Sequence, residues 1–207
     1  MNHPSSQCHL VGIAGSGMSA LAQVLLAHGW NVSGSDRFSD SGADLEILRK
    51  LEASGVRLFP QDGSGVPDEN RTVIASSAVE SSNPDIVAAA RTGAPVMARA
   101  KMLAGLVEGR ECIAIAGTSG KTTVTGMVGW ILEQLGVDPT VVNGGAALNW
   151  VDEKRVGNVR IGKSGPWVVE TDESDKSLLG FFPDWAIVTN VGKDHFDIAE
   201  SEALFKQ

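Results

Sequence analysis

Cysteine is scarce in this chain of 207 residues, which carries only Cys8 and Cys112. So sparse a content excludes a disulfide framework. Each cysteine stands at the start of an apolar run, so both are expected to be buried, reduced thiols. Positive charge is also in short supply, with 17 Lys and Arg against 25 Asp and Glu and a net charge of −8. A nucleic-acid groove needs clustered Lys and Arg, so no nucleic-acid partner is expected. An anionic ligand must then be held by local devices, such as helix N-termini and a few placed cations. No apolar run reaches the roughly 18 residues that a membrane span requires. Residues 1–7 show no cationic region followed by an apolar stretch. The expectation is a cytoplasmic protein with no membrane partner.

Glycine is what the chain has in excess, at 24 residues, beside 43% hydrophobic and 20% charged residues. Those fractions are ordinary for a globular protein. No collagen-like period accompanies the glycine, which places it in tight turns and phosphate loops. Short apolar runs alternate with amphipathic stretches, the pattern of a parallel sheet flanked by helices. Strands are expected at 9–14, 31–35, 56–59, 72–76 and 94–97, and helices at 16–28, 44–53, 84–91 and 99–107. Asn83 before Pro84 reads as a helix cap followed by a proline at the first helical position. The pattern restarts at 107–111, with a strand at 112–116, a helix from 121 to 135, and strands at 140–142, 167–170 and 185–190. Residues 146–166 read as polar and irregular. The fold class is α/β: a Rossmann-like parallel-sheet domain over 1–108, then a truncated ATPase-type domain with a phosphate loop over 109–207.

Two strand-to-helix turns are rich in glycine. In the first, Gly12-Ile-Ala-Gly15-Ser-Gly17-Met18, small residues let the backbone approach a pyrophosphate, and helix-start amides bind its charge. Asp36 follows at the end of the next strand, where a carboxylate can accept hydrogen bonds from a sugar hydroxyl. Alone, this turn would point to a dinucleotide such as NAD. The second, Gly117-Thr-Ser-Gly120-Lys121-Thr122-Thr123, changes that reading. It is a shortened phosphate loop, in which backbone amides cradle anions, Lys121 faces the β- and γ-phosphates, and Thr122 offers a hydroxyl to Mg²⁺. The strand Trp167-Val-Val-Glu170 ends in a carboxylate suited to the nucleotide's metal and runs into Thr171-Asp172-Glu173-Ser174-Asp175. A polar stretch after the last apolar strand carries Asn190, Asp194, His195 and Asp197, and His195 there is a candidate for a second metal or for the transferring phosphoryl group.

These blocks together resemble the Mur ligase family, the ATP-dependent enzymes that build the peptide of bacterial cell-wall precursors. The likeness is carried by 117–123, 170–175 and 189–197. It extends to Ser33-Gly-Ser-Asp36, Ser76-Ser-Ala78, Asn83-Pro84 and Arg99-Ala-Lys-Met-Leu103 in the first half. The resemblance implies that the first domain binds UDP-N-acetylmuramate through Gly15, Ser16, Gly17 and Met18, with Asp36, Ser76, Ser77 and Arg99 as further contacts. It implies that Gly117, Thr118, Ser119, Gly120, Lys121, Thr122 and Thr123 bind ATP. Thr122, Glu170 and His195 would hold Mg²⁺, and Lys121, His195 and Asn190 would serve catalysis. The reaction implied joins an L-amino acid, with L-alanine the first choice, to the sugar's carboxylate through an acyl phosphate. The alternatives are addition of a whole murein peptide, or a UDP-sugar-binding module without turnover. Ala14 and Ser119 depart from the family pattern, which has glycine at the first position and commonly histidine at the second in the alanine-adding members.

Overall fold

The computed structural model describes residues 6–42, 45–171 and 180–192. The chain divides into two units, one of Met1–Met102 with Asn149–Val156 and the other of Leu103–Leu148 with Gly157–Gln207. Among the described residues no helix is long and apolar enough to cross a membrane.

The first unit holds the strands β1 (Gln7–Val11), β2 (Asn31–Ser35), β3 (Arg57–Phe59), β4 (Arg71–Ala75) and β5 (Val96–Ala98). Their order in the sheet is β3-β2-β1-β4-β5, with every pairing parallel. The connecting helices are α1 (Ser16–Ala27), α2 (Arg37–Asp40), α3 (Glu46–Ser54) and α4 (Pro84–Thr92), and α5 (Arg99–Val107) follows β5. The order reverses beside β1, which leaves a crevice at its C-terminal end, where such sheets bind ligands. Apolar α1 residues Leu21, Val24 and Leu25 are buried with Leu10 of β1. Asn83 caps α4 as its sequence predicts, its Oδ1 accepting the Asp85 amide at 2.9 Å. A polar knot lies in the same core. His9 and Asp85 are both fully buried, and His9 Nε2 lies 3.3 Å from Asp85 Oδ2. Ser35 donates to the same carboxylate, and the Gly63 amide donates to its other oxygen at 2.9 Å. The knot ties β1, β2, α4 and the segment after β3 together, since each buried polar group needs a partner.

The second unit contains β6 (Cys112–Ala116), α6 (Lys121–Gln134), β7 (Thr140–Val142), β8 (Val159–Arg160), β9 (Trp167–Glu170) and β10 (Trp185–Val188). The order is β10-β6-β9-β7-β8, parallel except for β7 with β8. Chain order and sheet order differ here in a way that matters. The helix α6 carries the chain from β6 past one strand position, and β9 later fills the gap. The ends of β9 and β10 therefore flank the turn after β6 on both sides.

Three local expectations shift. The first strand stops at Val11 rather than 14, because the amides of Gly12 and Ile13 turn onto the Ser35 carbonyl at 2.9 and 3.0 Å. The short helix α2 had no apolar period to announce it. The stretch 146–166 is not wholly irregular, since it contains β8 and a 3₁₀ turn at Leu148–Trp150. Cys8 and Cys112 are buried free thiols.

Candidate functional site

The first glycine turn opens α1 with Gly15 as its cap, no capping side chain and no acid in the first turn. The first helical hydrogen bond runs from Ser19 to the Gly15 carbonyl at 2.8 Å, so the amides of Ser16, Gly17 and Met18 lie ahead of the ladder. A helix start with no capping side chain and no acid in its own first turn turns its positive end toward an anion. The upstream amides have internal acceptors. Gly12 and Ile13 donate to Ser35, Gly15 donates to Gly12 at 3.1 Å, and Ala14 donates to Asp36 Oδ2 at 3.0 Å.

Asp36 is 5% exposed, and its other oxygen accepts the Phe38 amide at 3.0 Å as the cap of α2. Both carboxylate oxygens thus serve the chain's own backbone. Asp36 braces the turn, and each of its oxygens keeps further acceptor capacity for the sugar hydroxyl that the sequence suggests. Met18 is 4% exposed, so its side chain is core and only its amide faces the helix start. Arg99, at the start of α5, lies against the turn. A Cβ on Gly17 would stand 2.8 Å from its Nη1, so a glycine there makes room for the guanidinium. Ser76 and Ser77 follow β4 at the same sheet edge.

The second turn opens α6 on Gly120, in the left-handed region at φ 81°, again without a capping side chain or an acid in the first turn. Val124 makes the first helical bond, to Gly120, at 3.0 Å, which sets the amides of Lys121, Thr122 and Thr123 ahead of the ladder. The Lys121 ammonium donates to the Gly117 carbonyl at 2.7 Å. Thr122 Oγ1 donates to Glu170 Oε1 at 3.0 Å. The Gly144 amide holds Oε2 at 2.6 Å. From the other flank, Asn190 accepts the Thr118 amide on its carbonyl at 3.1 Å and the Ser119 amide on its side chain at 3.1 Å. The fold therefore gathers Gly117–Thr123, Glu170 and Asn190 on one sheet edge, although the sequence scatters them over more than seventy positions. Gly144, which pins Glu170, went unmarked in the sequence because only a backbone amide does the work. His195 and residues 172–175 lie outside the described residues.

The hydroxyl of Thr122 and the carboxylate of Glu170 are hard oxygen donors that suit Mg²⁺, which takes few protein ligands and keeps phosphates and waters for the rest. Lys121 and the start of α6 suit a polyphosphate. Both fits rest on the donor set of the second unit alone.

Comparison with known proteins shows the family. The catalytic domain of the Mur ligase family matches residues 7–111, and the Mur ligase middle domain matches residues 115–204. The UDP-N-acetylmuramate–L-alanine ligase of Methylobacillus flagellatus is 43% identical over 197 residues, which are 95% of this chain and 39% of that protein. That of Nitratidesulfovibrio vulgaris strain DP4 is 44% identical over 189 residues, 91% of this chain and 39% of the relative. The chain thus spans about two fifths of the length of these relatives. Among solved structures, the UDP-N-acetylmuramate–alanine ligase of Thermotoga maritima superposes with a TM-score of 0.85 at 32% identity, over 97% of this chain and 46% of that one. A murein peptide ligase of Psychrobacter arcticus gives 0.81 at 27% identity, over 97% and 45%. With family matches running through both units and a shared fold beneath them, the chain belongs to the Mur ligase family.

Proposed function

We propose that this chain supplies the UDP-sugar-binding and ATP-binding units of a ligase that joins L-alanine to the lactyl carboxylate of UDP-N-acetylmuramate in peptidoglycan precursor synthesis. The observation that carries the reading is the convergence of the Lys121 turn with Glu170 and Asn190 at one sheet edge. The names of the curated relatives favour L-alanine over a whole peptide as the amine.

The chemistry proposed is transfer of the γ-phosphoryl group of ATP to the carboxylate, followed by attack of the amine on the acyl phosphate. A carboxylate approaching a triphosphate meets strong repulsion, so the site must supply positive charge. Lys121 and the leading amides of α6 supply it from the protein. Thr122 and Glu170 would hold Mg²⁺, which would supply further neutralisation of the phosphate charge. In the first unit, the leading amides of α1 and the Arg99 guanidinium receive the sugar nucleotide's diphosphate. Asp36 keeps that turn in shape, and Ser76 and Ser77 offer hydroxyls.

The test is calorimetric titration of the chain with UDP-N-acetylmuramate, MgATP and NAD. Binding of the first two and not the third is expected. In Lys121→Ala, MgATP affinity should fall at least roughly tenfold, or about 1.4 kcal/mol, while the sugar nucleotide binds as before. Binding of NAD in place of the sugar nucleotide would overturn the reading.

A further inference from the structure

The loop after β10 interlocks with the phosphate loop by more bonds than strand pairing requires. Asn190 forms a reciprocal pair with the main chain of Ser119, whose amide donates to Oδ1 at 3.1 Å while Nδ2 donates to the Ser119 carbonyl at 2.8 Å. Thr189 Oγ1 donates to that carbonyl at 2.6 Å. Thr118 Oγ1 accepts the Gly192 amide at 2.9 Å and donates to the Gly192 carbonyl at 3.3 Å. Gly117 sits at φ +124° beneath the same loop, and a Cβ there would collide with Thr189 and the backbone of Asn190. A shortened loop, with only two residues between its glycines, has little of its own to hold it open. Beside the bond from Lys121 to the Gly117 carbonyl, its support comes from this neighbour.

We propose that Asn190 is a positioning residue, acting through Ser119. Its side chain withdraws the Ser119 amide from the anion, as its main-chain carbonyl does the Thr118 amide, and fixes the loop so that the triphosphate meets the amides of 121–123. The proposal rests on the ATP-binding reading of the second unit, and it assigns Asn190 no contact with the nucleotide. A site held within about half an ångström by its support is the condition for tight oxyanion binding.

The test compares Asn190→Ala with the parent chain, using MgATP and magnesium tripolyphosphate as probes. Action through the loop predicts that both probes weaken by the same factor, roughly tenfold or about 1.4 kcal/mol, with UDP-N-acetylmuramate binding unchanged. The ligand-free parent should protect the Ser119 amide from hydrogen exchange, and the variant should lose that protection. Thr189→Val removes one bond to the same carbonyl. It should cost about threefold for both probes, which keeps the idea testable if Asn190→Ala does not fold. Loss for MgATP alone would mean that Asn190 touches the nucleoside, and would overturn the proposal. So would unchanged affinities in both variants. Failure of the parent to bind either probe would instead sink the ATP-binding reading, and the proposal with it.

Discussion

The carboxylate of Asp36 holds the amide of Ala14 at 3.0 Å, and it does for the first glycine turn what Asn190 does for the second. In each unit a polar side chain just past one strand reaches across to the glycine turn after the strand paired with it and takes up an early amide. The amides at the helix start are left ahead of the ladder. The turns Gly12–Gly17 and Gly117–Gly120 thus set their helix-start amides alike, although the bracing group is a carboxylate in the first and a neutral amide in the second, whose turn also carries Lys121.

Asp36→Ala removes the acceptor of the Ala14 amide and the cap of α2 together. Loss of a capping carboxylate costs about 0.5–2 kcal/mol. The expected outcome is a lower thermal midpoint and weaker binding of UDP-N-acetylmuramate, with MgATP affinity unaltered. Calorimetry that finds the sugar nucleotide bound at parental affinity would remove Asp36 as a brace of the turn.

Glu170→Gln keeps one oxygen to accept the Gly144 amide, turns the Thr122 contact into one in which the hydroxyl accepts from Nε2, and removes the charge that would favour Mg²⁺. Stabilisation by Mg²⁺ with ATP should shrink, because a ligand stabilises in proportion to the logarithm of its concentration over Kd. Thermal midpoints measured with ATP across a magnesium titration should shift to higher metal concentration, while midpoints without ligand stay close to parental. Identical titration curves for variant and parent would exclude Glu170 from the metal site.

The Asp85 carboxyl sets an acid limit to stability. Burial pushes its pKa up, but hydrogen bonds from His9 and Ser35, the attraction of His9 and the Gly63 amide outweigh this and hold it below the usual 3.8. A carboxyl depressed in the folded state contributes stability that is fully present above its unfolded value and is lost as pH falls through the folded one. The effect therefore belongs to the window below about pH 4. Asp85→Ala leaves His9 Nε2, the Ser35 hydroxyl and the Gly63 amide without their acceptor, and should cost on the order of 3 kcal/mol at neutral pH. Denaturant midpoints from pH 7 to pH 3 would show a shallower acid decline in Asp85→Asn than in the parent. Parallel curves would deny the carboxyl this role.

Cys8 and Cys112 should be inert in the folded chain. Burial pushes the Cys8 thiol up to about 12 and the Cys112 thiol up to about 11, and the thiolate is the reactive form. An aromatic disulfide reagent at pH 8 should titrate neither thiol until denaturant is added, and both afterwards. Rapid labelling of the native chain would contradict their burial.

Much of this protein is written locally. The glycine turns, the Asn83-Pro84 helix start, the alternation of apolar runs with amphipathic stretches, and the carboxylate ending Trp167–Glu170 are all legible in short windows, because caps, turns and periodicity involve neighbours within a few positions. The α/β class and the two candidate anion sites followed from these alone. Strand order did not, since pairing β9 between β6 and β7 is a choice among distant partners that no window contains. Only that order sets Glu170 on one side of the phosphate loop and Asn190 on the other. It likewise brings the Asp36 carboxylate onto the Ala14 amide and the amide of Gly144 to Glu170. Residue types and their spacing determined which chemistry is available. Tertiary pairing decided which of those groups meet and which of them hold the loops in shape, because hydrogen bonds between strand ends form only once the sheet has assembled.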